Sequence, residues 1–220
     1  MSPESDRRQL ASAAAQLGVM LDEGQTDALL GHLALLSKWN RVYNLTAVRE
    51  PSAMLHQHLI DSLAVVPALQ RRLSSRQGKN CRLLDVGSGA GLPGLVLAIA
   101  IPALEVVCVD AVGKKVSFIR QAAAELGLSR VRVEHARVED LQLEGCDVIT
   151  SRAFASLADF VSLTRRHLAL DGCWMAMKAK HPADEIAALP KDIELFHVEQ
   201  LQVPGLDAER CLVWMRPKPA

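Results

Sequence analysis

Aromatic side chains are scarce in this sequence: 4% of 220 residues, although half of the chain is hydrophobic. A core built instead from Leu, Val and Ala suits parallel strands covered on both faces, which points to an α/β fold. Excess charge is missing as well, since 25 basic residues balance 25 acidic ones. That balance excludes a polycation that coats nucleic acid by bulk attraction, so any such contact must be local. The five cysteines, Cys81, Cys108, Cys146, Cys173 and Cys211, are widely spaced and form no C-x-x-C pair. Neither a disulfide framework nor a zinc knuckle follows from them, and they read as reduced core residues. No apolar run approaches the ~18 residues of a membrane span, and no basic start leads into an apolar stretch, so a cytoplasmic protein with no membrane partner is expected. Internal repeats, low-complexity segments and a dimerisation heptad are all lacking, and a monomer is expected.

What is present is an alternation of periods. A chain of this length holds one substantial core and an accessory segment. From Arg7 to about Ser37, apolar residues such as Leu10, Ala14, Leu17, Leu29, Leu33 and Leu36 recur at helical spacing, with a break near Asp22-Glu23-Gly24. The run Trp39 to Thr46 has no clean periodicity, and Glu50-Pro51-Ser52 reads as a turn into a helix carrying Met54, Leu55, Leu59 and Leu63. Residues 1–80 are therefore expected to form a helical extension, ahead of a cofactor-binding domain over 81–220. In that domain Arg82 to Val86 and Leu104 to Val109 read as strands around a helix from Leu95 to Ile101, a βαβ unit. Further helices are expected around Val116 to Leu126, from Leu157 to Leu168 and near Ile186. Strands are expected at Val131 to Val133, Asp147 to Thr150 and, after a turn at Asp171-Gly172, Cys173 to Met177. Two last strands, Ile193 to Val198 and Cys211 to Met215, lack an intervening helix and can pair antiparallel. The whole reads as a doubly wound, Rossmann-like, mostly parallel sheet with an antiparallel C-terminal strand.

The first strand stops at Asp85-Val86-Gly87-Ser88-Gly89-Ala90-Gly91-Leu92. Glycines at Gly87, Gly89 and Gly91 allow a tight turn whose bare peptide a ligand can approach, with a helix N-terminus behind it suited to a carboxylate or a phosphate. Gly89 to Gly94 also satisfies the dinucleotide fingerprint G-x-G-x-x-G, with Asp110 at the distance of its ribose-binding acid. Either S-adenosylmethionine or a nicotinamide dinucleotide fits these residues, because both carry an adenosyl ribose. Asp85, ahead of the first glycine, favours the sulfonium cofactor by anchoring its ammonium through water or by steadying the turn. Asp110 is placed to accept the ribose hydroxyls or to cap the helix at Gly113-Lys114-Lys115.

Several strings are more particular. Trp39-Asn40-Arg41-Val42-Tyr43-Asn44-Leu45-Thr46, His58-Leu59-Ile60-Asp61-Ser62, Asp85 to Gly94, Gly113-Lys114-Lys115, Ser151-Arg152-Ala153-Phe154-Ala155-Ser156 and Leu201 to Leu206 stand in this order. With these strings the chain, roughly over residues 20–216, resembles the RsmG family, also called glucose-inhibited division protein B. Those proteins are class I S-adenosylmethionine-dependent 16S ribosomal RNA guanine-N7 methyltransferases. The resemblance implies methyl transfer to N7 of a guanine near the decoding site, with 16S rRNA in the small ribosomal subunit or its assembly intermediate as partner, and no metal. It also implies cofactor contacts from Gly87, Leu92, Val138, Glu139 and Arg152, beside Gly89 of the turn and Asp110 at the end of the second strand. Where the family often has glycine after a late lysine, this chain reads Lys178-Ala179-Lys180.

RNA contact falls to local cations: Lys114 and Lys115 with Arg120, then Arg152 and Lys178, or a second cluster of Arg71, Arg72, Arg76, Lys79 and Arg82. Glu139, beside Asp140, has the alternative of a solvated acidic turn, and Arg152 that of an ion pair with Asp147 or Asp159. His56, His58 and Asp61 lack a recognised zinc spacing and read as helix-surface or hydrogen-bonding residues. Guanine N7 carries a lone pair and no proton, so no acid, base or covalent nucleophile is assigned. Two rival readings stand beside this one: a nicotinamide-dependent oxidoreductase, and a non-catalytic ribosome-binding module on the same fold.

Overall fold

The computed structural model describes residues 3–74, 81–152, 154 and 156–219. Two helices, α1 (Pro3–Gln16) and α2 (Glu23–Tyr43), open it. The break between them is set by a capping box: the Asp22 carboxylate accepts the Gln25 amide at 2.7 Å, and the Gln25 side chain accepts the Asp22 amide at 2.9 Å. Contrary to its missing periodicity, the Trp39 to Tyr43 run continues α2. Trp39 packs edge-on against Phe118, 5.7 Å between centroids, and buried Asn40 bonds the loop beyond, donating to the Val48 carbonyl and accepting from the Thr46 amide. Tertiary packing thus overrides the local pattern, and the helix stops only where Asn44 turns left-handed at φ 49°.

Next come α3 (Pro51–Met54), a π-helical stretch over Leu55–Ile60, α4 (Asp61–Leu63) and α5 (Val66–Ser74). Wide turns of this kind re-aim side chains inside a helix. Here Gln57, His58 and Asp61 all face one cavity. No helix among the described residues is long and apolar enough to cross a membrane.

The sheet then builds as expected: β1 (Arg82–Val86), α6 (Gly94–Ala100), β2 (Glu105–Asp110), α7 (Gly113–Glu125), β3 (Val131–His135), β4 (Cys146–Ser151), α8 (Leu157–Thr164), β5 (Leu168–Lys178), α9 (Ala183–Ala187), β6 (Ile193–Leu201) and β7 (Arg210–Pro217). The strand order is β3-β2-β1-β4-β5-β7-β6. The first five strands are parallel, and β7 runs antiparallel to both β5 and β6. Strand order reverses between β1 and β4, and the crevice outside the carboxyl ends of open sheets lies at such a reversal.

Two details depart from the sequence reading. The helix starting at Leu157 ends at Thr164, where the Thr164 hydroxyl bonds the Phe160 carbonyl and accepts the Trp174 indole N–H at 2.8 Å. Asp171-Gly172 is no turn between elements but lies inside β5. Against β4 the register moves from Cys146↔Leu168 to Val148↔Cys173, so two steps on one strand meet five on the other, and the surplus residues bulge.

Each strand feeds both faces of the sheet. Leu83, Val106 and Val148 join one cluster with Leu10, Leu29, Leu36, Leu59 and Leu63, so the N-terminal helices share a core with the sheet. Leu84, Val107 and Ile149 join the other, around Phe160 and Trp174. All five cysteines are buried. Because the capping box satisfies amides that α2 would otherwise leave unpaired, Asp22→Ala is expected to cost about 1 kcal/mol of stability. Urea unfolding measures it, and an unchanged midpoint would contradict the role.

Candidate functional site

At the end of β1 the chain takes left-handed values at Gly87, Gly89 and Gly91, with φ of 70°, 59° and 74°. Residues with a Cβ avoid that region, which is why the turn needs glycine. Two buried carboxylates hold it from below. Asp110, at the end of β2, accepts the Gly89 amide at 2.9 Å through one oxygen and the Val112 amide at 2.8 Å through the other. It makes no side-chain cap on α7 itself, whose N-cap is Val112. Asp85 accepts the Gly94 amide at 2.9 Å, and a Cβ at Gly94 would lie 2.7 Å from that oxygen and 2.8 Å from the Cys108 sulfur. Asp85 thus steadies the turn, one of its two expected roles. A third support comes from α2, where the fully buried His32 donates through Nε2 to the Ala90 carbonyl at 2.9 Å. Burial lowers the His32 pKa to about 4, so the ring is neutral at pH 7.

Two cavities flank this turn and both touch Gly87. The smaller, about 270 Å³, is lined by Asp110, Val138 and Glu139 with the apolar walls Val86, Val109 and Phe154. Val138 and Glu139 stand on a single 3₁₀ turn after β3, which Arg166 and His167 tie down through the Val138 carbonyl. The larger, about 410 Å³, is lined by Gly87, Gly89 and Leu92 on one side and by Leu45, Thr46, Gln57, His58 and Asp61 on the other, with Lys115, Arg152, Lys178 and Arg210 around it.

Two of its four cations are ordered by one acid. Asp61, almost wholly buried, receives Arg152 at 3.2 Å on one oxygen and Arg210 at 2.7 Å on the other, and Arg152 also donates to the Gln57 carbonyl at 3.2 Å. Arg152 therefore does make an ion pair, but with Asp61 in place of Asp147 or Asp159. Asp147 accepts the Arg82 amide, and Asp159 bonds the Ser156 hydroxyl. His58 hydrogen-bonds the Thr46 hydroxyl at 3.1 Å, and burial, then the charge of Arg152, lowers its pKa to about 4. His56 instead meets the Pro204 carbonyl, so the two histidines and Asp61 serve three different contacts.

The other expected cations divide. Lys115 lines the larger cavity with its ammonium 4.0 Å from Asp110, whereas Lys114 lies outside it and donates to the Tyr43 carbonyl at 2.7 Å. Lys178 pairs with Glu185 at 2.7 Å and also reaches the Phe154 carbonyl. In the alternative cluster, Arg71 bonds Glu199, Arg72 the Asp171 carbonyl and Arg82 Glu105. Arg76 and Lys79 lie outside the described residues. Sequence reasoning gave no site role to Asp61, Gln57, Thr46 or Arg210. The first three sit in or beside strings that carried the resemblance, while Arg210 belongs to no motif.

Burial raises the Asp85 carboxyl from 3.8 to about 6, and the Gly94 amide, Arg152 and the Ser88 side chain only partly oppose the shift. A carboxyl with a higher folded than unfolded pKa binds protons more readily in the native state, so its contribution falls as pH rises through that window. Asp85→Asn is therefore expected to gain stability relative to the parent between pH 4 and pH 7, measured by denaturant unfolding at both. A difference that does not change with pH would sink this account.

Comparison with known proteins extends this geometry. The sequence profile of the GidB family, described as rRNA small subunit methyltransferase G, matches residues 25–213. A protein named ribosomal RNA small subunit methyltransferase G from Methylibium petroleiphilum is 60% identical over 209 residues, covering 95% of this chain and 93% of its own length. Its namesake from Leptothrix cholodnii is 58% identical over 215 residues, covering 98% and 97%. Among solved structures, an S-adenosylmethionine-dependent methyltransferase from Aquifex aeolicus shares the fold with a TM-score of 0.55 at 16% identity, over 76% of this chain and 97% of the other. TrmN from Thermus thermophilus does so with a TM-score of 0.54 at 22% identity, over 74% and 53%. The chain belongs to the GidB family of rRNA small subunit methyltransferases, and its fold is that of the S-adenosylmethionine-dependent methyltransferases.

Proposed function

We propose that this protein, acting as a cytoplasmic monomer, transfers the methyl group of S-adenosylmethionine to N7 of a guanine in 16S rRNA, near the decoding site of the small ribosomal subunit or of its assembly intermediate. The observation that carries the reading is the pair of cavities that meet at Gly87, one apolar with a carboxylate at its floor, the other ringed by cations.

The residues present fit the cofactor. Each Asp110 oxygen accepts one backbone amide and keeps a lone pair for a ribose hydroxyl, while Val138, Glu139 and Phe154 offer walls and a polar edge for an adenine ring. Gly87, Gly89 and Leu92 then border the methionine moiety, and Arg152 is the cation placed to meet its carboxylate or an RNA phosphate. When bound, the cofactor supplies an electrophilic methyl on a sulfonium. Lys114 and Lys115 face the RNA with their charge less spent than that of Lys178, which shares its own with Glu185.

Because N7 of neutral guanine brings a lone pair and no proton, the chain has to align the base and exclude water, and it needs no proton acceptor. His58, neutral at pH 7 and bonded to Thr46, is a wall of this site in the same sense. The antiparallel β7 between β5 and β6 departs from the 3-2-1-4-5-6 order of dinucleotide-binding sheets, which speaks against the oxidoreductase alternative.

The test is to incubate labelled cofactor with small subunits from cells lacking the gene and to map the methyl group; label on protein, on DNA or on another RNA atom would refute the proposal. Asp110→Asn, which keeps one acceptor but loses the charge, is expected to weaken cofactor binding about tenfold, or 1.4 kcal/mol, by calorimetry. Asp110→Ala also strips partners from the Gly89 and Val112 amides, so the asparagine variant separates binding from stability. Unchanged affinity would remove Asp110 from the site.

A further inference from the structure

The C-terminal end of α2 and the N-terminal end of α7 meet in an apolar, cationic surface of which the proposed function uses only Lys114 and Lys115. Val42, Tyr43 and Val112 are 70%, 45% and 40% exposed there, in a protein with few large apolar side chains at its surface. Tyr43 is the only tyrosine of the chain, and one of its faces lies on Trp39, 4.9 Å between centroids. Trp39 in turn abuts Phe118 of α7, and Lys114 clamps the two helix ends together through the Tyr43 carbonyl. The second face of Tyr43 is thus held rigidly outward at little entropic cost.

Charge marks the same place. In a chain of zero net charge, residues 38–49 and 111–120 together hold six basic residues and no acidic one. Lys38, Arg41, Lys114 and Arg120 among them are exposed. The surface also runs into the larger cavity, since Leu45 and Thr46 lie just beyond Tyr43, and Lys115 just beyond Lys114, along its wall. Positive side chains interleaved with a rigid aromatic face are what unpaired RNA requires: phosphates meet the cations, and an unstacked base finds a π-face. A helical RNA keeps its bases stacked on each other and has no use for such a platform.

We propose that Tyr43, flanked by Val42 and Val112, stacks an unpaired base of the rRNA that neighbours the target guanine. This rests on the reading of the site as an rRNA methyltransferase and names how it takes hold of its substrate. Tyr43→Ala and Tyr43→Leu are expected to raise KM for small subunits from cells lacking the gene about tenfold, in line with the stacking energy of one base, while the affinity for S-adenosylmethionine by calorimetry stays at the parent value. Tyr43→Phe keeps the π-face and is expected to keep the parent KM. Val42→Glu, exposed and remote from the core, is expected to raise KM by adding negative charge to the same surface, and serves as the second probe should Tyr43→Ala fold poorly. Ultraviolet cross-linking of the bound protein is expected to join the Tyr43 peptide to rRNA. A parent-like KM for both Tyr43→Leu and Val42→Glu, or a Tyr43 cross-link to a ribosomal protein alone, overturns the proposal. A parent protein that methylates no rRNA overturns the reading of the site itself, a result visible before any variant is made.

Discussion

Two buried carboxylates, Asp85 and Asp110, fix the path of the turn on which the site depends. A ligand can lie on bare peptide only if the peptide stays in place without side chains of its own, and the left-handed glycines that make the turn possible also make it loose. Adjacent parallel strands resolve this by ending in acids: Asp110 takes the Gly89 amide from one side and Asp85 the Gly94 amide from beneath. Hydrogen bonds to a charged acceptor contribute about 1.5–3 kcal/mol each, enough to select one conformation of a glycine-rich loop. The cost falls on Asp85, whose complete burial raises its pKa.

The N-terminal helices are tied to the same turn. His32 reaches from α2 to the Ala90 carbonyl, and the π-helical stretch with the start of α4 brings Gln57, His58 and Asp61 to the cavity that the glycines also line. Since Leu29, Leu36, Leu59 and Leu63 pack into one cluster with the strands, displacing these helices would expose core as well as open the larger cavity. A sheet of this kind supplies one wall and a floor; the helices close the space against water, which strengthens every charge inside it.

Legibility in the sequence followed the range of the forces involved. The strands and most helices could be read because their periodicity is local, and the glycine turn because left-handed backbone leaves few residue types to choose from. The extent of α2 could not, because Trp39 and Asn40 are held by Phe118 and by the loop to Val48. Asp171-Gly172 misled for a related reason: those residue types favour turns, and only the pairing of β5 with β4 absorbs them as a bulge. Asp110, Val138, Glu139 and Arg152, named from the sequence as cofactor contacts, line the two cavities beside the glycine turn. Arg210 was not so named, since it meets Asp61 across 149 positions of sequence, a juxtaposition that only the antiparallel insertion of β7 creates.

That insertion also sets the electrostatics of the cavity. Asp61 alone would be an uncompensated buried carboxylate, a costly arrangement. With Arg152 from the end of β4 and Arg210 from the start of β7 closing on its two oxygens, the acid is satisfied and the group carries one positive charge in excess. The guanidiniums are each about a quarter exposed, so their remaining N–H groups still face the cavity. A chain with no net charge thereby gains a local positive potential beside the larger cavity, anchored by an acid that points inward. Local positive potential built on an internal acid does not require a basic surface elsewhere, which is how zero net charge and a phosphate-bearing partner coexist in one molecule.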